Sequence, residues 1–431
     1  LRTHIAYGSP NKQYTADAHG APLGVEEVSL TKKRLGWTEE TPFFIPPEVK
    51  TLAPECIKTG ETMERRWEEG LLEYQNKFPE LGAAFKEAID QNLPDGWDEA
   101  LPVFSAPEKP MATRSASGKV LNLLGKRVFS LIGGSADLAP SNNTLLSFSE
   151  DFQKNSYHGR NIRFGVREHA MAAVLSGMAL HGGLRPYGGT FLVFADYMRP
   201  SIRLAALMKI PVIYVFTHDS VAVGEDGPTH QPVEHLASLR GIPGLCVIRP
   251  ADANETSQAW RCALERTHGP TAIILSRQNL PVIDQNQYAG AEALAKGAYI
   301  LSDCSGVPDL MMVASGSEVS LVLHAAELLS QENIAVRVVS MPSWELFEAM
   351  PDDYKESVFP SRLPVRLIVE AGSPMGWERY AGKEGEIFGI SRFGASAPGD
   401  TVMKEFGFTG PEIAARARNL LARSRRSSSG K

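Results

Sequence analysis

Short apolar runs alternate with amphipathic stretches through the middle of the chain. Four of the runs are apolar along nearly their whole length, which is typical of strands buried on both faces of a parallel sheet. They are residues 128–132, 212–216, 245–248 and 272–275. Helical periodicity falls between them, at residues 168–182, 195–208 and 253–266. The alternation predicts a three-layer α/β domain over residues 111–295.

The same alternation returns in the last third of the chain. Its apolar runs are residues 310–314, 336–339 and 366–370. Its helical patterns are residues 317–332 and 410–423. Pro411 suits the first turn of the second helix, because proline at that position lacks an N–H that no helix bond would use. A second, smaller α/β domain is therefore predicted over residues 296–431.

Residues 1–110 show no recurring strands. Their main pattern is a charged amphipathic helix over residues 61–90, followed by a proline-rich linker over residues 102–110. This part does not predict an independent domain. The expected fold class is thus α/β, with two consecutive three-layer domains of mainly parallel sheet preceded by a further segment.

Composition and charge exclude several classes of protein. The chain has 431 residues, 43% of them hydrophobic and 22% charged, which is typical of a globular protein that works in water. Its net charge of -6 gives no reason to expect nucleic acid or an anionic membrane as partner. No apolar run reaches the roughly 20 residues that span a bilayer. Four cysteines without metal-ligand spacing predict reduced thiols in a cytoplasmic protein.

Candidate chemistry lies where the predicted strands end. His218 follows the run 212–216, and Arg277 follows the run 272–275, so both belong to the sheet edge where α/β proteins bind ligands. Arg114, Ser141, His218 and Arg277 together suit a phosphate group, although single arginines more often form ordinary ion pairs. Asp137 could cap a turn.

One acidic and three aromatic residues form a second set of candidates, between residues 168 and 197. Glu168 begins a predicted helix, where the helix dipole alone favours a carboxylate; a shielded carboxyl group that exchanges a proton with a ring nitrogen is the alternative. Phe191, Phe194 and Tyr197 either fill a core or form a wall against a flat heterocycle.

A loop with two functional candidates completes the set. Asp226 and His230 lie among glycines and prolines, without a cysteine or paired carboxylate at metal-ligand spacing. Hydrogen bonding to a polyhydroxylated substrate is therefore favoured over a metal site, and no residue is assigned as a metal ligand.

Several motifs together resemble one family. They are residues 134–138 (Gly-Ser-Ala-Asp-Leu), 167–171 (Arg-Glu-His-Ala-Met), the block 218–232, and 276–281 (Ser-Arg-Gln-Asn-Leu-Pro). With these motifs the chain resembles, over essentially its whole length, the transketolases, thiamine diphosphate enzymes of the pentose phosphate pathway and the Calvin cycle. The resemblance implies a transferase that reversibly moves a two-carbon ketol unit from a ketose phosphate to an aldose phosphate.

The resemblance also implies roles for the candidate residues. Glu168 is expected to contact N1′ of the aminopyrimidine and to promote loss of the proton from C2 of the thiazolium ring. The aminopyrimidine packs among aromatic residues, implied here to be Phe191, Phe194 and Tyr197, and Asp137 contacts the thiamine. His19 is expected near the reacting carbons of the donor. The sugar-phosphate pocket is implied to contain Arg114, Ser141, His218 and Arg277. Asp226 and His230 are implied to bind substrate hydroxyls and to assist proton transfer.

One departure from the family is large. Transketolases hold Mg²⁺ or Ca²⁺ and the cofactor diphosphate with a Gly-Asp-Gly motif and a distant asparagine, and this sequence has no Gly-Asp-Gly. Residues 1–110 are therefore expected to be the C-terminal remnant of the diphosphate-binding domain plus a linker, and the chain, which begins without methionine, to be truncated. Little activity is expected from it alone. The family forms homodimers with active sites between subunits, so dimerisation is expected.

Other identities stay open at this point. Dihydroxyacetone synthase and 1-deoxyxylulose-5-phosphate synthase are related thiamine enzymes that share the Arg-Glu-His glutamate. A non-catalytic interaction or regulatory module left by truncation is a different class. A nicotinamide-dependent dehydrogenase of the Rossmann type is disfavoured, because no G-x-G-x-x-G follows a predicted strand.

Overall fold

The computed structural model describes residues 1–106 and 109–429. Contacts divide the chain into two compact units, Leu1–Gly82 and Ala83–Lys431, and each unit is described by itself. None of the helices in the described part of the chain has the length and apolarity that crossing a membrane requires.

The first unit is helical. It contains a short 3₁₀ turn (Ala16–Ala18), α1 (Val25–Arg34) and α2 (Pro47–Lys77). α3 (Pro79–Ile89) begins in this unit and continues past its boundary. The single helix predicted over residues 61–90 is therefore wrong in its bounds. Phe78 leaves the helical region at φ -132° and ψ 71°, as expected for the residue before a proline that starts the next helix.

A buried carboxylate fixes the N-terminal loop of this unit. Glu27 accepts hydrogen bonds from the Ser9 hydroxyl, from Asn11 N at 2.8 Å and from Asn11 Nδ2 at 2.9 Å. These bonds, the Ser9 bond most of all, lower the pKa of Glu27 to about 2 because they stabilise its charged form.

The second unit contains two sheets, of which the first has six parallel strands in the order β2-β1-β3-β4-β6-β5. The strands are β1 (Leu131–Ser135), β2 (Asn161–Arg163), β3 (Arg185–Phe191), β4 (Ile213–Thr217), β5 (Cys246–Ile248) and β6 (Thr271–Leu275). The helices before and between these strands are α4 (Thr113–Arg127), α5 (Ala139–Asn142), α6 (Glu168–His181), α7 (Ala195–Leu207), α8 (His235–Arg240) and α9 (Ala253–Glu265).

Helices cover both faces of this sheet, as the doubly apolar strands predict. On one face, Met171 and Leu175 of α6 and Ile202 of α7 pack into one core cluster. On the other face, Leu121 of α4 and Trp260 of α9 belong to a second cluster. The predicted linker is also anchored here, because the backbone of Phe104 exchanges two hydrogen bonds with the Asn254 amide. Pro107 and Glu108, part of the same predicted linker, lie outside the described residues.

The second sheet has five strands in the order β11-β10-β8-β9-β7, and only β7 is antiparallel to its neighbour. Its strands are β7 (Tyr299–Ser302), β8 (Leu310–Ala314), β9 (Val336–Ser340), β10 (Arg366–Val369) and β11 (Glu386–Phe388). Its helices are α10 (Glu318–Ser330), α11 (Trp344–Glu348), α12 (Asp352–Val358), α13 (Glu378–Ala381), α14 (Gly399–Glu405) and α15 (Gly410–Ser429). The predicted fold class, consecutive three-layer α/β domains with mainly parallel sheets, is confirmed.

Two strands differ from the sequence prediction. The strand predicted at 128–132 lies at Leu131–Ser135, so it includes Gly133 and Gly134, which are outside the predicted range. A Cβ at Gly133 would lie 1.9 Å from the carbonyl oxygen of Tyr187, so neighbouring strand β3 leaves no room for a side chain there. β3 itself, with the sequence Arg-Pro-Tyr-Gly-Gly-Thr-Phe, was not predicted because proline and glycine argue against a central strand.

Candidate active site

The carboxyl edge of the first sheet collects the predicted functional residues of the second unit. Asp137 follows β1, Phe191 ends β3, His218 follows β4 and Arg277 follows β6. Asp137 and His218 have left-handed backbones, with φ of 60° and 64°, which turn the chain sharply as it leaves the strand. The edge is the place where parallel α/β sheets bind ligands.

A cavity of about 390 Å³ opens at this edge. Its lining combines apolar and aromatic side chains with two carboxylates. The lining residues are Ala136, Asp137, Leu138, Val166, Glu168, Phe194 and Tyr197. Four of them, Asp137, Glu168, Phe194 and Tyr197, were predicted from the sequence to bind one cofactor. The structure therefore brings these four together around one volume.

Glu168 is the most buried polar residue of the lining. It is the first residue of α6 and only 9% exposed, whereas Asp137 is exposed. Within residues 1–106 and 109–429 its carboxylate has no hydrogen bond or ion pair, although Arg167 precedes it. A carboxyl group that is shielded from water and unbonded to protein is available to a ligand nitrogen.

Aromatic rings connect this cavity to the histidines. The rings of Phe191 and Phe194 are parallel to within 8° at 5.8 Å, and Tyr197 continues the series 6.1 Å from Phe194. On the other side, the His218 ring stacks on Phe191 with centroids 3.7 Å apart, and His230 meets Phe194 edge-on at 5.6 Å. Phe191 is buried behind the cavity, so the predicted aromatic wall consists of Phe194 and Tyr197 with Phe191 supporting them.

Two arginines form a separate positive group close to His218. Burial and the charge of Arg277 lower the pKa of Arg114. Burial lowers the pKa of His218 to about 3, with further contributions from the charges of Arg114, Arg277 and His230. In the described ranges neither arginine has an acidic partner, and Arg114 Nη1 bonds the carbonyl oxygen of Ser141 at 2.7 Å. Two cations without a carboxylate favour an anion as ligand over ordinary ion pairs.

Local hydrogen bonds bring the two arginines together. Thr113 N donates to Ser276 Oγ at 3.0 Å, and Ser276 N donates to Thr113 Oγ1 at 2.7 Å. Met111 and Leu280 form a short antiparallel bridge beside this pair. The start of α4 is thus joined to the segment after β6, which places Arg114 near Arg277.

The loop that carries Asp226 and His230 is held by the segment that follows β11. Gln231 Nε2 donates to Gly224 O and to Ala395 O, both at 2.9 Å, and Ser396 Oγ donates to Glu225 O at 2.6 Å. Gly224 has a φ of 91°, which is strained for a residue with a side chain, and a Cβ there would lie only 3.0 Å from Gly399 N. Sequence reasoning missed the contacts with Ala395 and Ser396 because the two partners in each are more than 160 residues apart.

A buried charge cluster includes Asp219, the residue that follows His218. Asp219 accepts hydrogen bonds from Arg249, which also pairs with Glu318 and lies 4.0 Å from Glu370. Glu370 in turn accepts two hydrogen bonds of 2.8 Å from the Arg240 guanidinium group. All five side chains are at most 2% exposed. The cluster therefore joins the strand end that carries His218 to the start of α10 and the end of β10.

Two predicted residues have no observed place in this group. His19 lies in the first unit, where it follows the 3₁₀ turn Ala16–Ala18 and is exposed. Asp226 is exposed in the loop beside the half-buried His230. Their roles stay predictions.

One further cluster contains residue types that often bind metal ions. Asp196, Glu234 and His235 can bring one ligand atom each within 4.8 Å of one another. His235 Nε2 lies 3.2 Å from Asp196, while its Nδ1 lies 3.9 Å from Glu234, so the ring stands between two carboxylates. Mg²⁺ and Ca²⁺ prefer oxygen ligands and Mg²⁺ needs an octahedral set, so this cluster does not fit either ion.

Comparisons with known proteins extend over almost the whole chain. Residues 1–94 match the thiamine diphosphate binding domain of transketolase, residues 109–282 its pyrimidine binding domain, and residues 297–409 the transketolase-like C-terminal domain. The chain is 53% identical to a transketolase of Geobacillus stearothermophilus, an alignment that includes 98% of this chain and 64% of the relative.

Two further comparisons also match this chain to transketolases. A chloroplastic transketolase of Craterostigma plantagineum is 47% identical over 98% of this chain and 81% of its own length. A Pichia stipitis transketolase solved with sedoheptulose 7-phosphate is 41% identical, with a TM-score of 0.93 over 99% of this chain and 62% of that one. The chain thus spans somewhat less than two thirds of the length of its bacterial relative and of this solved structure.

Proposed function

Because this chain belongs to the transketolase family, we propose that residues 111–295 form the aminopyrimidine side of a thiamine diphosphate site and an adjoining sugar-phosphate site. The proposed reaction is reversible transfer of a two-carbon ketol unit from a ketose phosphate to an aldose phosphate. One observation carries the proposal: a shielded carboxyl group without a protein partner lines the same cavity as an aromatic wall. That combination suits a flat heterocycle with a basic nitrogen.

Glu168 is the residue that handles protons on the cofactor side. When bound, thiamine diphosphate supplies an electron sink for cleaving a carbon–carbon bond next to a carbonyl group. Glu168 holds a proton at the ring nitrogen N1′, and the low polarity around it strengthens that hydrogen bond. Phe194 and Tyr197 would stack on the ring and Asp137 would contact the thiamine, because all three line the cavity, and Phe191 keeps Phe194 in place.

The residues on the other side of the aromatic stack recognise the sugar phosphate. Arg114 and Arg277 bind the phosphate, since guanidinium groups pair with it through two hydrogen bonds. Ser141 and His218 border the same group. Asp226 and His230 bind substrate hydroxyls and assist proton transfer, and His19 serves the reacting carbons.

The diphosphate and its metal ion are a separate matter. The sequence has no Gly-Asp-Gly, and the described residues offer no cluster of oxygen ligands that suits Mg²⁺ or Ca²⁺. No step is therefore assigned to a metal held by these residues. A cofactor whose diphosphate lacks such a metal site should bind weakly, so we propose little turnover for the isolated chain.

The cellular setting follows from the family and is also proposed. We infer a homodimer, in the cytoplasm, serving the pentose phosphate pathway or the Calvin cycle, with sugar phosphates as partners and neither nucleic acid nor membrane. Sedimentation that finds only monomers at micromolar concentration would argue against the dimer.

The test is a ketol-transfer assay with thiamine diphosphate and Mg²⁺ on two proteins. One is this chain alone, and the other is this chain fused behind the upstream residues of the Geobacillus relative. We expect turnover only from the fusion. Ribose phosphate as acceptor should be used, whereas preference for formaldehyde or for glyceraldehyde phosphate with pyruvate as donor would indicate one of the related synthases. A fusion without turnover on any pair would contradict the proposal.

A further inference from the structure

Four side chains form a continuous series of hydrogen bonds behind the sugar-phosphate site. Asn142 Nδ2 donates to Ser135 Oγ at 3.1 Å, and Thr217 Oγ1 donates to Asn142 Oδ1 at 2.8 Å. Thr217 Oγ1 also lies 2.8 Å from His218 Nδ1. Ser135, Asn142, Thr217 and His218 are all at most 4% exposed, so water does not compete for these bonds. Their partners are therefore fixed by the protein.

The direction of the series decides which nitrogen of His218 carries the proton. A hydroxyl group has one hydrogen, and that of Thr217 is used on Asn142 Oδ1. Thr217 Oγ1 then accepts from His218, which puts the imidazole proton on Nδ1; the opposite tautomer would leave two acceptor oxygens, Thr217 Oγ1 and Asn142 Oδ1, facing each other at 2.8 Å. For Nε2, the residues described contain no hydrogen-bond partner.

We propose that Asn142 and Thr217 are positioning residues that hold the neutral His218 ring with its proton on Nδ1 and leave Nε2 as a hydrogen-bond acceptor. His218 then accepts a hydrogen bond from a hydroxyl group of the substrate, while Arg114 and Arg277 supply the positive charge for its phosphate. Only the identity of the ligand rests on the function proposed above. The hydrogen-bond series stands without it.

The surroundings of His218 support a neutral ring. Burial first, and then the charges of Arg114, Arg277 and His230, lower the pKa of His218 to about 3. Asp219, the next residue, is an acid that could oppose this effect, but it is paired with Arg249. Phe191 stacks on the ring at 3.7 Å and restricts its rotation, so the ring cannot turn over easily to exchange its nitrogens.

Nitrogen NMR of the chain with ¹⁵N-labelled histidine tests the proposal without any activity. The shifts and N–H couplings of the two ring nitrogens distinguish the tautomers, and His218→Gln identifies the signals. We expect a proton on Nδ1 and a bare Nε2 from neutral pH down to about pH 4. A proton on Nε2 in the unaltered chain, or a charged ring at about pH 6, would overturn the proposal.

Variants test the two positioning residues. Thr217→Val keeps the shape but removes the hydroxyl, so Nε2–H should appear, and Thr217→Ser should restore the Nδ1–H signal. Asn142→Leu should weaken the preference in the same way. Thr271→Val is the matched control, because Thr271 is equally buried in β6 and its hydroxyl has no partner among the described residues. An Nδ1–H signal that survives Thr217→Val unchanged would contradict the positioning role.

Titration with inorganic phosphate separates this inference from the proposed function. Phosphate bound at Arg114 and Arg277 should shift the His218 signals. If the tautomer is as expected but phosphate has no effect, the phosphate site is wrong and the positioning role stands. If phosphate binds but the proton lies on Nε2, the positioning role is wrong and the phosphate site stands.

Discussion

Replacing Arg249 by methionine should destabilise the protein more than most single substitutions. Arg249 is fully buried and bonds Asp219 at 2.8 Å, Glu318, and the carbonyl oxygen of Ser315 at 3.0 Å. Burial alone would lower the pKa of Arg249, but the charges of Glu318 and Asp219 raise it above its usual value. Methionine has a similar length, so the change removes the charge and the hydrogen bonds without opening a large cavity.

The magnitude follows from the charges that remain. Arg240 still neutralises Glu370, but Asp219 and Glu318 lose Arg249, the only cation that pairs with them among the described residues. Removing one partner of a buried ion pair costs about 3–5 kcal/mol, and two orphaned carboxylates argue for the upper end. A loss of about 5 kcal/mol should lower the melting temperature by about 10 °C or more.

Thermal and urea unfolding at two pH values measure this loss. The orphaned carboxylates can take up protons in acid, so the deficit should be largest near neutral pH and smaller at about pH 5. Arg163→Met is the control, because Arg163 pairs with Asp151 at the surface and its loss should cost less than about 1 kcal/mol. A deficit below about 1 kcal/mol for Arg249→Met, or one that does not change with pH, would refute the reasoning.

Three further predictions concern packing, pH and anion binding. Gly133→Ala should lower the free energy of unfolding, measured in urea, by about 3 kcal/mol or more, because its Cβ would lie 1.9 Å from Tyr187 O. Gly177→Ala is the control: its Cβ would meet nothing within 4 Å, so the change should be neutral or stabilising. Equal effects of the two changes would contradict the strand packing. Burial raises the pKa of Glu255 to about 7, so between about pH 4.5 and 7 the folded state keeps a proton that the unfolded state has lost. The free energy of unfolding should therefore fall by up to about 3 kcal/mol as the pH rises through this range. Glu255→Gln should remove this pH dependence. Arg277→Leu should weaken binding of inorganic phosphate about 10- to 100-fold in calorimetry, and unchanged binding would remove Arg277 from the anion site.

Burial pattern decided which elements could be predicted. The run 212–216 is apolar throughout because β4 (Ile213–Thr217) lies in the centre of the sheet with both faces covered, and the prediction is confirmed within one residue. β3 is equally central, but its sequence does not predict a strand because it contains Pro186, Gly188 and Gly189. A Cβ at Gly188 would lie 2.5 Å from Leu175, so close packing of α6 requires glycine where sequence rules read a turn.

The residues of the candidate site were also predictable only in part. That Glu168, Asp137, Phe194 and Tyr197 lie around one cavity could be predicted, because these polar and aromatic side chains follow the ends of β1, β2 and β3. Gln231, which holds the histidine loop to the C-terminal domain, and Arg249 could not be found. Their partners are distant in sequence and their own residue types carry no signal.

The central claim is that the carboxyl group of Glu168 activates the thiamine ring. Exchange of the C2 hydrogen of bound thiamine diphosphate for deuterium measures that activation directly, in the fusion that carries the upstream residues of the Geobacillus relative. Glu168→Gln should slow the exchange at least about 100-fold, as loss of a general acid–base group usually does, while Glu265→Gln at the surface should not change it. Exchange as fast in Glu168→Gln as in the unaltered protein, with cofactor bound in both, would contradict the account.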